Sequence, residues 1–148
     1  ADKGHDPILL AFLRFRSELL HKMDGAGDLR AFPTPRAWEQ VAKVIDAPDS
    51  VRGPAIAGLV GDGAAAEMEG FIRVYRELPS LDMILANPNS ARVPSEPAAK
   101  YAVAVGLARK VNSQSFDNGM TYIKRIEGRE FDIMFTVDAV RSNLMLIQ

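Results

Sequence analysis

The sequence predicts an all-α fold of six or seven short to medium helices, and three observations lead to this prediction. Apolar residues recur at intervals of three and four along most of the chain, whereas the alternation typical of β-strands is nearly absent. Proline, glycine and small polar residues separate these segments in the way that helices start and stop. The 148 residues, 47% hydrophobic and 25% charged, suit one compact domain, so residues 1–148 are expected to form a single helical domain.

The first helix is predicted to begin at Asp6 and Pro7, an N-cap residue followed by proline at the first helical position. It is expected to end near Asp24 and Gly25, since glycine commonly follows the last turn of a helix. Its polar face is narrow, and most of its circumference is apolar. This pattern predicts a helix that is buried on more than one side.

A second helix is predicted to begin at Thr34 and Pro35, again an N-cap followed by proline. Its inward stripe includes Trp38 and Val41, whereas Arg36 lies on the outward face. The outward face also carries Glu39, Gln40 and Lys43, and the inward stripe continues through Ala42 and Ile45.

Further helices are predicted beyond an interruption at 48–50. They are a short stretch through Ile56 and Val60, a long helix from Asp62 to Leu78, a helix from Ser95 to Val111, another from Asn112 to Ile126, and a last one from Phe131 to Val140. Ser80 to Ala86 is expected to form one or two short turns. The predicted core includes Trp38, Val41, Phe71, Tyr101 and Val105, because each lies on the apolar stripe of its own helix.

Composition excludes several classes of function. Eighteen cationic against nineteen acidic side chains leave a net charge of −1, which argues against a general nucleic-acid binder. With no cysteine and two histidines, neither a disulfide scaffold nor a metal site is expected. No apolar run has the length of a membrane span, and the expected location is a reducing cytoplasm.

No motif in the chain supplies a catalytic residue. Neither a phosphate-binding glycine loop nor the glycine–serine elbow of hydrolases occurs, and Gly61-Asp62-Gly63 lacks the lysine that such a loop needs. Glu69 and Arg73 lie four residues apart, the spacing of a solvated helix face rather than of an acid–base pair.

Arg36 is the one residue whose position is physically unusual. If Thr34 is the N-cap, Arg36 lies in the first helical turn, where an exposed cation is disfavoured by roughly 0.3–1 kcal/mol. The same arrangement, with free backbone N–H groups, suits a phosphate. The alternative is a surface arginine that contacts Gln40 or solvent.

Several segments are similar to the C-terminal region of AAA+ ATPases of the MoxR-like, prophage-encoded branch. The segment Phe-Pro-Thr-Pro-Arg-Ala-Trp at 32–38 resembles the Pro-Arg signature that opens the lid helix of these proteins. The other similar segments, in chain order, are Leu-Ala-Phe-Leu-Arg-Phe-Arg at 10–16 with Glu-Leu-Leu-His at 18–21, Gly-Leu-Val-Gly-Asp-Gly-Ala-Ala-Ala-Glu at 58–67, and Tyr-Arg-Glu-Leu-Pro at 75–79. The similarity extends from about residue 6 to residue 140.

The resemblance implies a lid that folds over ATP and Mg²⁺. Residues 1–24 would be the helix before the lid, and residues 34–140 the lid helices. Arg36 would be the arginine, called sensor 2, that contacts the β/γ phosphates, with Thr34 and Pro35 completing the motif. Part of the first helix (Ile8, Phe12 and Phe15) would then pack against the α/β domain.

The resemblance also implies partners that this chain does not contain. The Walker A lysine, the Walker B acid, sensor 1 and the arginine finger belong to a preceding α/β domain, and none is found here. We therefore expect the chain to be the C-terminal part of a longer ATPase, without enzymatic activity alone. The full protein would form a ring homo-oligomer and couple hydrolysis to remodelling of a protein substrate.

Two other functions are compatible with the sequence. One is a helical protein-interaction module without nucleotide contact, which an exposed apolar groove would favour. The other is a DNA-binding helix-turn-helix within residues 50–78, which the acidic residues Glu67, Glu69 and Glu77 disfavour.

Overall fold

The computed structural model describes residues 6–21 and 34–142, except the side chain of His21. These residues form α-helices, one 3₁₀ helix and no β-strand, so the predicted all-α fold is confirmed for this part of the chain. The helices are α1 (Pro7–Phe15), the 3₁₀ helix (Ser17–His21), α2 (Pro35–Val41), α3 (Asp49–Val60), α4 (Asp62–Arg76), α5 (Leu81–Ala86), α6 (Pro97–Lys110), α7 (Phe116–Ile123) and α8 (Glu130–Ser142). The predicted helix end at Asp24 and Gly25 lies outside the described residues.

The chain folds into two compact units, and the boundary between them falls inside α4, between Arg73 and Val74. The first unit contains α1, the 3₁₀ helix, α2, α3 and most of α4. The second contains the end of α4 and the helices from α5 to α8. The helix before the expected lid therefore belongs to the same unit as α2. No helix among the described residues is long and apolar enough to cross a membrane.

Aromatic side chains form the core of the first unit. The ring of Phe12 lies 5.6 Å from the ring of Trp38 and 5.5 Å from that of Phe71, measured between centroids. The indole N–H of Trp38 donates to the carbonyl of Leu19 at 2.8 Å. Because Trp38 and Phe71 already cover Phe12, its expected role in packing against another domain is wrong. Phe15 stays half-buried beside Phe71.

The first helix is shorter than the sequence predicts. Its α-helical part ends at Phe15, and Arg16 has a non-helical backbone with φ −122° and ψ 64°. The Arg16 guanidinium forms ion pairs with Glu18 and, across the unit, with Glu67 on α4. The turn that follows is 3₁₀, which places the Leu19 carbonyl beside Trp38. Long-range contacts of Arg16 and Trp38 thus accompany the change of helix type.

The second unit is built around α6, which packs mainly against α8 and is almost entirely buried between Ala102 and Ala108. Val105 is fully buried as predicted, whereas Tyr101 is half-buried and packs edge-on against Phe131. The close approach of α7 and α8 requires glycine at position 119, because a Cβ atom on Gly119 would lie 2.7 Å from Phe135.

The segment from Ser80 to Ala86 forms a helix, α5, rather than isolated turns. The Ser80 hydroxyl accepts from the N–H of Met83 at 3.3 Å and caps its first turn. Ile84 is buried in the core of the second unit. This additional element raises the number of α-helices in the described part to eight, above the predicted six or seven.

Candidate nucleotide-contact site

The start of α2 is where the sequence places it. Thr34 has an extended backbone, with φ −139° and ψ 159°, and Pro35 occupies the first helical position. The Thr34 hydroxyl accepts from the N–H of Ala37 at 3.0 Å. Thr34 is therefore the N-cap, which places Arg36 in the first turn. The motif residues Phe32 and Pro33 lie outside the described residues.

Arg36 projects from the side of α2 that does not face the core. Its side chain is exposed, whereas Trp38 and Val41 are buried. The first turn of α2 contains no acidic residue. Among the described residues, Arg36 has neither a hydrogen-bond acceptor nor a carboxylate partner. The guanidinium is thus available for an anion supplied from outside this part of the chain.

Few backbone N–H groups remain for an anion at this helix start. Pro35 has none, the N–H of Ala37 is bonded to the Thr34 hydroxyl, and the N–H of Trp38 donates to the Thr34 carbonyl at 3.0 Å. α2 has only seven residues, which limits the field at its end. Most of the free backbone N–H groups expected beside Arg36 are therefore already bonded within the start of the helix. The groups of Arg36 that can still bind an anion are its guanidinium and its backbone N–H.

Glu69 has a different partner from the one that its spacing suggests. Both of its carboxylate oxygens accept from Arg52, from Nε at 2.7 Å and from Nη2 at 2.9 Å. This hydrogen bonding lowers the pKa of Glu69, and Arg73 adds only a minor electrostatic contribution. The main partner of Glu69 is therefore Arg52 of α3, and not Arg73, which the spacing of four residues suggests.

An apolar groove lies between α1 and α2, with a volume of about 800 Å³. Its wall includes Leu9, Leu13 and Trp38, and its rim includes Arg14 and Lys43. Pro35 lines this groove but Arg36 does not. The groove is therefore separate from the guanidinium.

A second cavity was not foreseen from the sequence. It lies in the second unit, has a volume of about 470 Å³, and is bordered by the segment from Arg92 to Glu96. The available signal was the pair of prolines at 94 and 97, because a residue before proline is biased away from the helix.

In the described ranges, no three histidine, aspartate or glutamate residues come together as a candidate metal site.

Comparisons of the chain with protein-family models, with curated proteins and with solved structures find no match.

Proposed function

We propose that this chain is the lid of an AAA+ ATPase and closes over ATP and Mg²⁺ held by an α/β domain. The observation that carries the proposal is the position of Arg36, exposed in the first turn of α2 directly after the Thr34 cap and Pro35. This is the position at which the resembling family has its sensor-2 arginine.

Contacts between the resembling segments support the proposal. Trp38, in the Pro-Arg segment, donates to Leu19, in the segment at 18–21. Arg16, at the end of the segment at 10–16, pairs with Glu67, at the end of the segment at 58–67. These segments, which are separated in the sequence, are in contact within the first unit, as expected if they form one functional structure.

The chemistry of Arg36 suits the proposed role. A guanidinium remains charged at all working pH values and offers its donors in a planar fork that matches two phosphate oxygens. Loss of the γ-phosphate would remove part of this contact, so that lid opening follows hydrolysis. Coupling of that movement to a protein substrate, in a ring homo-oligomer, is part of the same proposal.

ATP binding in this proposal depends on the α/β domain. P-loop enzymes hold phosphates with a glycine-rich row of N–H groups, a lysine and Mg²⁺. The chain has no such loop, so the isolated 148 residues are expected neither to hydrolyse ATP nor to bind it tightly. Calorimetric titration tests this expectation, and micromolar ATP affinity of the isolated chain would contradict it.

The main test is substitution of Arg36 in the protein that carries both domains. Arg36→Ala should slow steady-state ATP turnover about ten-fold or more, because a charge-assisted contact of roughly 1.5–3 kcal/mol is lost. Arg36→Lys should restore only part of the rate, since an ammonium group cannot reproduce a two-point contact. Thermal melting should be unchanged, because Arg36 is exposed.

Lys43→Ala is the control. Lys43 is an exposed cation two residues beyond the end of α2, and its removal should leave turnover near the wild-type value. Wild-type turnover and nucleotide affinity in Arg36→Ala would overturn the sensor assignment. A source gene without an upstream G-x-x-x-x-G-K-[ST] motif would overturn the ATPase proposal itself.

A second function is favoured by the groove between α1 and α2. Its apolar wall of Leu9, Leu13 and Trp38 is the feature expected of a helical interaction module without nucleotide contact. The two functions differ in their dependence on Arg36. Loss of partner binding on substitution of Leu13, with no effect of Arg36→Ala on any nucleotide-dependent property, would favour the interaction module.

A further inference from the structure

The cavity in the second unit is a cleft between the end of α4 and the start of α6. Val74, Leu78 and Val103 form apolar parts of its lining, and Tyr122 of α7 also contributes. Its volume of about 470 Å³ lies within the range of clefts that hold ligands. None of its lining residues belongs to the start of α2, so it is independent of the proposed nucleotide contact.

One wall of the cleft is a loop that side chains of α7 and the following turn hold in place. Arg125 Nη1 donates to the carbonyl of Pro88 at 2.9 Å and to that of Ala91 at 2.7 Å. The Tyr122 hydroxyl donates to the carbonyl of Arg92. Burial raises the pKa of Tyr122, which keeps this hydroxyl protonated as a donor. The wall is therefore fixed before a ligand arrives, which reduces the entropy cost of binding.

Beyond Arg92 this wall contains residues whose backbone groups have no hydrogen-bond partner in the described part of the chain. The N–H and C=O groups of Val93 and Ser95 form no hydrogen bond with any described residue, although both residues line the cleft. Val93 and Glu96 each precede a proline, which favours an extended backbone, and Glu96 has φ −80° and ψ 136°. Unpaired groups on a short extended segment are suited to hydrogen bonding with the backbone of another extended chain.

The charges at the cleft favour a cationic ligand. Glu77 and Glu96 line it together with Arg92, so the lining has one more acidic than basic side chain. In the described part of the chain, neither carboxylate forms an ion pair. A cationic side chain would supply both carboxylates with a counter-charge, while the Arg92 guanidinium can donate to backbone carbonyls.

We propose that this cleft binds a short extended peptide of a protein partner, with an apolar side chain inserted between Val74, Leu78 and Val103. A lysine or arginine beside the apolar residue pairs with Glu77 and Glu96. The backbone of the peptide hydrogen-bonds with Val93 and Ser95.

The test uses two peptides and the 148-residue chain, with binding followed by nuclear magnetic resonance of the backbone amides. The probe is acetyl-Gly-Lys-Leu-Lys-Gly-amide, and its comparison is the same peptide with both lysines replaced by glutamate. The basic peptide should shift the amide signals of the non-proline residues between 93 and 99. It should bind at least about ten-fold more tightly than the acidic peptide. Added salt should weaken its binding.

Two variants locate the binding. Ala99→Leu places a larger side chain in the cleft. It should weaken binding of the basic peptide at least about five-fold, a loss of binding free energy near 1 kcal/mol. Its matched control is Ala98→Leu, at a neighbouring half-buried position that does not line the cleft. Glu77→Gln combined with Glu96→Gln changes only exposed side chains and should remove the preference for lysine.

The proposal is overturned by any of four results. The first is that millimolar basic peptide causes no amide shift, and the second is that the two peptides bind equally tightly. The third is that the Glu77→Gln, Glu96→Gln variant still prefers the basic peptide. The fourth is that Ala99→Leu and Ala98→Leu weaken binding of the basic peptide equally. Shifts of the same non-proline amide signals that appear on concentrating the chain alone would instead assign the cleft to a second copy of the chain. They would also overturn the proposal.

Discussion

Arg52 of α3 and Glu69 of α4 form a two-point ion pair in which Nε lies 2.7 Å from Oε2 and Nη2 lies 2.9 Å from Oε1. The Arg52 side chain is only 4% exposed, and that of Glu69 is 21% exposed. The third guanidinium nitrogen, Nη1, lies 2.9 Å from Oδ1 of Asp49 but without the geometry of a hydrogen bond. Arg52 therefore depends on Glu69 for most of its charge compensation.

Glu69→Gln should destabilise the first unit by about 2–3 kcal/mol, because it removes the main counter-charge of the buried Arg52 guanidinium and leaves only the exposed Asp49 carboxylate beside it. Urea denaturation followed by the fluorescence of Trp38, the only tryptophan, measures this change. Asp46→Asn, at an exposed residue, is the control and should stay within about 0.5 kcal/mol of wild type. A Glu69→Gln variant as stable as this control would show that the ion pair contributes little.

The stabilising contribution of Glu69 should depend on pH. Hydrogen bonding from Arg52 lowers the pKa of the folded carboxylate below its ordinary value of 4.5. Its contribution is then fully present above the unfolded pKa and is lost as the pH falls through the lowered folded pKa. Melting temperatures of wild type and Glu69→Gln should differ most above about pH 6 and converge as the pH falls below about 4. A difference that grows toward acid would contradict the lowered pKa.

Gly119→Ala should destabilise the second unit by about 1–3 kcal/mol. A Cβ atom at this position would lie 2.7 Å from Cζ of Phe135 and 2.9 Å from Cγ1 of Val111. Gly58→Ala, in α3, is the matched control, because nothing lies within 4 Å of its added Cβ atom. That control should gain about 0.5–1 kcal/mol from reduced backbone entropy in the unfolded chain. Thermal melting of both variants checks that the melting temperature falls in Gly119→Ala and rises in Gly58→Ala. Equal changes in melting temperature would refute the packing argument.

Trp38→Phe should destabilise the first unit by about 1–3 kcal/mol in addition to the free energy lost because the smaller ring buries less apolar surface. The substitution removes the N–H that donates to the Leu19 carbonyl at 2.8 Å and leaves this acceptor without its donor. Circular dichroism at 222 nm during urea denaturation measures the effect, since the variant has no tryptophan. Phe15→Leu, which alters a ring contact without a hydrogen bond, is the comparison and should be less destabilising. The reverse order would contradict the role of the indole N–H.

Helix starts are the part of the fold that the sequence predicted most accurately. Asp6 caps α1 by accepting from the N–H of Ile8 at 2.8 Å, and Thr34 caps α2 by accepting from the N–H of Ala37. These bonds join residues two or three positions apart. Their partners are thus present in the local sequence whatever the rest of the chain does.

Apolar periodicity likewise determined which faces of the helices are buried, including Trp38 and Val41, and with them the exposure of Arg36. This follows because a side chain's direction around a helix depends only on its position in the turn. The exposed position of Arg36 could therefore be predicted from the sequence. How many neighbouring N–H groups are unbonded could be determined only from the hydrogen bonds in the structure.

Other features depended on residues far apart in the chain. Arg73 and Arg52 are both possible partners of Glu69 by charge, and only the tertiary structure, which brings Arg52 of α3 within 2.7 Å of Glu69, selects Arg52. Likewise, the end of α1 accompanies the pairing of Arg16 with Glu67, 51 residues away. The cleft beside Val93 arises from helices that local periodicity cannot orient. The sequence by itself determined local caps and buried faces because their causes lie within one or two turns, while tertiary structure alone decided which distant side chains meet.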